Sequence, residues 1–199
     1  GSVGIASAGK SSGGVALSGA GVSAVNKIAT NIQSFLDGDR LGGGSQSGVR
    51  ADSLTVAAYD YSRVNALAGA VTIAAQFGGK SSTAVSVGVS LSQNHIGNNV
   101  AASIHRTSMV ETTSGDIVVD AATKSVIDSI VFAASAALSG GKGTSIAVSG
   151  AGASSRNIIL SKTKSLIDDG GEALPAVGTI KSAGGVTVHA ASDSTIVSE

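Results

Sequence analysis

From Thr83 to Ile104 the chain reads TAVSVGVSLSQNHIGNNVAASI. Val85, Val87, Val89 and Leu91 alternate with Ser86, Gly88, Ser90 and Ser92. A period of two puts the two sets on opposite faces of an extended chain and predicts a half-buried strand, its apolar face packed. The same pattern returns from Gly14 to Leu36 and from Thr144 to Ile167. Each copy carries an Asn (Asn26, Asn94, Asn157) at a fixed distance before its last apolar residue (Leu36, Ile104, Ile167). The chain is thus predicted to be one elongated domain of three degenerate repeats, about 11–80, 81–142 and 143–199.

Each copy holds a second period-two segment. In the first it opens near Asp52, with Leu54, Val56 and Ala58 on one face. In the second it follows Gly115-Asp116, and in the third it follows Gly184-Gly185. Gly78-Gly79-Lys80 and Gly140-Gly141-Lys142 close the first two. Repeat length varies mainly in the polar loop between the segments, where insertions are tolerated. Ser, Thr, Val, Gly and Asn dominate and are poor helix formers. Two all-β architectures fit. In a parallel β-solenoid, rungs stack and each repeat buries its apolar face on its neighbours. The recurring Asn would then form an inward ladder. In the rival, Gly-Gly-Lys marks a hairpin and long antiparallel strands form an elongated sandwich. The solenoid is the preferred reading, although an unbroken alternation over two dozen residues favours the rival.

Composition narrows the picture. Of 199 residues 42% are apolar but only 3% aromatic, and there is no Trp. Ala and Val suit a thin body in which two layers of small side chains touch, rather than a globule filled by large ones. Lys plus Arg and Asp plus Glu number 13 each, and the formal net charge is zero, so no basic patch points to nucleic acid. Cys is absent, which removes disulfides and thiolate chemistry. No apolar run is long enough for a transmembrane helix, and the expectation is no membrane insertion. The Gly1-Ser2 start and the cut-short last segment suggest a piece of a longer chain.

The phrases Gly115-Asp116-Ile117-Val118-Val119-Asp120-Ala121 and Gly184-Gly185-Val186-Thr187-Val188-His189-Ala190 resemble a repeated phrase of giant bacterial surface proteins. These are filamentous-haemagglutinin-like and autotransporter-like adhesins. The runs Asn26 to Gly38 and Asn157 to Gly170 are similar to theirs as well. The resemblance implies a β-solenoid stalk or passenger, secreted or on the cell surface, and supplies no catalytic residue. It implies contact with glycan or another surface protein, and with neighbouring repeats of the same chain. The second copy departs from it, with His105-Arg106 where the others have Asp-Gly or Asp-Asp.

Candidate chemistry is sparse. Asp37, Asp39, Asp168 and Asp169 lie on tight loops and could offer oxygens to calcium, the one cofactor considered. They are also ordinary turn residues. Tyr59 and Tyr61 share a strand face and could stack on a sugar or cover an apolar edge. The pairs Asp120 with Asp128 and Asp52 with Asp60 are the carboxylates that a polysaccharide-cleaving enzyme would use. His95, His105 and His189 occupy different places in the repeat and lack metal-ligand spacing. The turns at Lys80 and Lys142 lack the earlier Gly of a phosphate loop, and Lys10, Lys80 and Lys142 read as turn lysines that block edge pairing. The expected role is a non-catalytic structural and adhesive module, with flat Ser/Thr faces available for multivalent contact. A polysaccharide-binding or -cleaving solenoid and a self-assembling fibre module are the alternatives.

Overall fold

A computed structural model describes residues 2–7, 13–38, 48–168 and 178–199. The chain is a parallel β-solenoid. Thirteen strands are described: β1 (Ser2–Ser7), β2 (Gly14–Ile28), β3 (Asn31–Asp37), β4 (Val49–Ala51), β5 (Leu54–Phe77), β6 (Ser81–Ile96), β7 (Asn99–His105), β8 (Met109–Thr112), β9 (Ile117–Gly140), β10 (Thr144–Ile159), β11 (Lys162–Asp168), β12 (Thr179–Lys181) and β13 (Val186–Ser198). They build a long sheet A (β1-β5-β9-β13), a facing sheet B (β2-β6-β10), a shorter sheet C (β3-β7-β11) that continues it, and a narrow corner sheet D (β4-β8-β12). Every pairing is parallel. The strands also run long, since β5 and β9 have 24 residues each. Long alternation and parallel rungs therefore coexist, and the antiparallel sandwich is excluded.

Gly-Gly-Lys is the arch from sheet A to sheet B, not a hairpin. Gly78 and Gly79 take φ of 90° and 84°, where a side chain would be strained. Arches of successive coils bond to each other, Gly78 N–H to the Gly140 carbonyl at 2.8 Å. The three Asn stack as expected. Asn26 and Asn94 are 68 residues apart, Asn94 and Asn157 63, so coil length differs by a few residues. That difference falls between sheets C and D, where β7 and β8 are close in sequence and β3 and β4 are not.

The core has three clusters, the middle one being Val64, Ala66, Ile96 and Ile127. At the broad end, under sheets C and D, Val56, Val100, Ile104, Val110, Ile117 and Val119 form an aliphatic cluster. Toward the arches lies a thin lobe. Its inside is Ala16, Ala74 and Ala84 with Thr72, Ser82, Ser86 and Ser90. Here the packed face of β6 is opposite to the one the sequence pattern suggests. Ser86 and Ser90 are 0% exposed, while Val87 is 48%, Val89 41% and Leu91 42% exposed. Continuity of the strand accounts for the inversion. Side chains alternate strictly, so a strand keeps one parity along its length. Val56 and Ile117 face inward at the broad end, and that choice sends Ala68, Ala70, Thr72 and Ala74 inward twelve or more residues later. The two sheets then approach closely. A Cβ added at inward Gly88 would stand 3.1 Å from the Ala134 carbonyl oxygen across the gap. The inward positions there are mostly Gly, Ala, Ser and Thr, with Gln76 next to the arch and Val22 and Val131 toward the other end, and most of the larger Val, Leu and Ile are left outside.

Candidate functional site

The outer face of sheet A at the broad end gathers the polar side chains best placed for chemistry. Outward parity on β5 presents Tyr59 and Tyr61, and Arg63 follows on the same face. Register sets Ala57, Asp120 and His189 side by side on three successive rungs. The Tyr59 hydroxyl donates to Asp120 Oδ2 at 2.6 Å. His189 Nδ1 lies 2.8 Å from Asp120 Oδ1. The Tyr59 hydroxyl, and after it His189, holds the Asp120 carboxyl below its ordinary value of 3.8. The Asp120 carboxylate in turn pushes the Tyr59 phenol above 10.0. Tyr61, 79% exposed, stands beside this group with its ring free. Arg63 donates from Nε to Asn65 Oδ1 at 2.8 Å and reaches Asp128 at 3.5 Å. The result is a strip along the strands, with the fixed carboxylate at the level of Ala57, the open Tyr61 ring next, and the Arg63 guanidinium about 20 Å from that level, an order that suits stacking on and hydrogen bonding to an extended sugar chain.

The other sequence candidates fall elsewhere. Asp37 and Asp168 sit at the end of sheet C on the outer coils, with His105 of the middle coil between them in register. Arg106 grips Asp37 through Nε at 2.8 Å and through Nη2, and this contact lowers the Asp37 pKa. His105 pairs with Asp168. The His105-Arg106 departure of the second copy therefore supplies partners for the acids of the other two. Asp39 and Asp169, like Lys10, lie outside the described residues. Asp120 and Asp128 both face outward on β9, but eight residues at about 3.3 Å each separate them by about 26 Å. That exceeds the 5–10 Å of a glycosidase pair. Asp60 is 6% exposed and points inward, so it cannot join Asp52 on one face. It accepts from Asn98 Nδ2 at 2.5 Å, from the Ser62 hydroxyl at 3.0 Å and from the Thr30 hydroxyl at 3.3 Å, at the bend where sheet B becomes sheet C.

A second feature was not foreseen. On the outer face of sheet B, Lys27, His95, Gln93 and Arg156 surround a cleft of about 310 Å³. From Gly14 to Leu36, Ser81 to Val110 and Thr144 to Ile167 the sequence contains no Asp or Glu. Sheets B and C are therefore cationic except at the Asp37 and Asp168 corner. Overall neutrality hid this segregation, because the balancing carboxylates lie mostly on sheet A and the corners. The Asp120–His189 pair could have been found by aligning the phrases Gly115 to Ala121 and Gly184 to Ala190, which set those two residues in one column. Compared with protein-family models, curated proteins and solved structures, the chain gives no match.

Proposed function

We propose that the chain is a non-catalytic repeat module of a larger secreted or surface-displayed protein, giving reach and making adhesive contacts, with carbohydrate the class of ligand its exposed face fits. The reading rests on the Tyr59–Asp120–His189 group beside the open Tyr61 ring. A carboxylate pinned by two neighbours keeps its orientation without a ligand, so less ordering is lost on binding. Parallel rungs joined by backbone ladders and close-packed small side chains supply stiffness. The resemblance of its repeated phrases to adhesin stalks supports the same role. A glycan array with the native chain and with Tyr61→Ala tests it. Binding to a defined glycan class that falls at least tenfold in Tyr61→Ala supports the reading. Binding that ignores this substitution and Asp120→Asn overturns the assignment of the face.

A further inference from the structure

The thin lobe has apolar side chains on both of its outer faces. On sheet B they include Leu17, Val87 and Val148, and on sheet A Leu67, Ile73 and Leu138, all at least 39% exposed. Within the lobe the segments 14–25, 66–77, 81–92, 130–140 and 144–155 contain no Asp, Glu, Lys, Arg or His. Monomeric soluble proteins seldom leave large apolar patches uncovered. The dimensions say what could cover these. From Leu67 to Phe77, at about 3.3 Å per residue, the band is about 33 Å long, and three strands at about 4.8 Å make it about 14 Å wide. Each face then has a flat footprint of roughly 470 Å². A second copy on one face would leave the other face bare. Hydrocarbon covers both at once, and its thickness of about 30 Å matches the band.

Charge at the ends of the band agrees. Lys80 and Lys142 stand at the arches. At the opposite end, just past Leu91, the cleft presents the cations Lys27 and Arg156 beside His95, with no carboxylate on that face. We infer that the lobe enters the hydrocarbon of a lipid bilayer, with this cleft at the depth of the headgroup phosphates and the broad end left in water. The inference is independent of the sugar-binding reading. It departs from the expectation of no membrane insertion, which rested on helices. Among the described residues no helix is long and apolar enough to cross a membrane. A strand carries its apolar residues at every second position, and a running average dilutes them. Inside the lobe polar groups pair with each other, as Ser86 with Thr72 at 2.8 Å and Ser82 with Ser139 at 2.9 Å, while the Ser90 hydroxyl and Gln76 Oε1 are buried without a partner. The outermost strands carry unpaired backbone, which hydrocarbon penalises. Coil-on-coil stacking of copies pairs the inner edges, so the floating species is expected to be an oligomer in which the two outermost edges stay unpaired.

The test is flotation of the 199-residue chain with vesicles of phosphatidylcholine alone and with added phosphatidylglycerol, at low and high salt. Flotation with the neutral vesicles that survives high salt is expected. Val87→Arg on sheet B and Ile73→Arg on sheet A should each lower partitioning about 30-fold or more, from the depth-dependent penalty for a cation in a lipid-facing strand. Both positions lie on outer faces and are only half-buried, so both variants should stay folded by circular dichroism with at most a small fall in the urea midpoint. Tyr61→Arg, on the broad end, should float like the native chain. No flotation, or salt-sensitive flotation confined to anionic vesicles, overturns the inference. So does a loss in Val87→Arg alone, which means flat adsorption through sheet B. Self-association in sedimentation that both Arg variants abolish, without flotation, assigns the faces to a second copy instead.

Discussion

Ser86→Val and Val87→Ser exchange the characters of neighbouring residues on opposite faces of β6, and their relative costs test which face is packed. Ser86 is 0% exposed, and its hydroxyl donates to Thr72 Oγ1 at 2.8 Å. Valine there removes a hydrogen bond from a Thr72 that is itself fully buried, about 1–3 kcal/mol. It also forces extra carbon into the narrow gap, about 1–3 kcal/mol more. A total loss near 3 kcal/mol is expected. Val87 is 48% exposed. Full burial of a valine side chain contributes about 1.5–3 kcal/mol, so half-burial of this one limits the cost of Val87→Ser to about 1 kcal/mol. Were the Val face packed instead, the order would reverse, with Val87→Ser costing 2 kcal/mol or more and Ser86→Val close to neutral. Urea unfolding followed by circular dichroism gives both numbers by linear extrapolation, provided the slope is shared by the variants. A larger loss for Val87→Ser than for Ser86→Val refutes the inverted packing and, with it, the apolar lobe.

Two other outcomes follow from the same structure. Asn94→Ala removes the middle of the ladder, where Asn94 accepts from Asn26 at 2.8 Å and donates to Asn157 at 2.7 Å; a loss of about 2 kcal/mol is expected in urea unfolding, against about 1 kcal/mol or less for Asn26→Ala, whose ladder bonds lie on one side only. Asp120 has a folded pKa below 3.8, held first by Tyr59 and then by His189, so its contribution to stability is fully present above the ordinary carboxylate value and disappears as pH falls through the lowered one. In Tyr59→Phe, carboxyl titration by nuclear magnetic resonance should move Asp120 up toward 3.8, and an unmoved midpoint would show that the Tyr59 hydroxyl does not hold it.

Particular residues show where sequence reasoning reaches and where it stops. Three equally placed Asn residues were enough to place a ladder, because stacking in register needs only repetition and a side chain that both donates and accepts. The pairing of Asn26, Asn94 and Asn157 follows that rule. The side on which Val87 lies was not legible locally. VSVGVSLS has the same alternation whichever face is packed, and its valines suggest the wrong one. The choice is made at Val56, Val100 and Ile117, at the broad end, where the sheets stand far enough apart to take branched side chains. Strand continuity carries that choice into a region where the sheets converge. The hydrophobic effect favours burying Val over Ser, but steric exclusion at Gly88 and Ala84 decides against it.

The same reasoning explains why the site was half legible. Tyr59 and Tyr61 have their parity fixed by the aliphatic residues just before them on β5, close to the anchoring core, so their shared outward face could be read directly. Asp120 and His189 reach Tyr59 only across rungs, and that contact depends on strand register. A slip of one residue between β5 and β9 would set Asp120 beside Val56 or Ala58 and turn it inward. Contacts at the bend add to the strand ladders: Asn98 bonds inward to Asp60 and Ser62, and its Oδ1 accepts from the Thr30 backbone at 3.1 Å. That buried polar bend pins sheets B and C to sheet A at one register. Asp60 and Ser62 lie on the strand that carries Tyr59 outward and, further along, the apolar band, so the bend is tied to the element the two surfaces share.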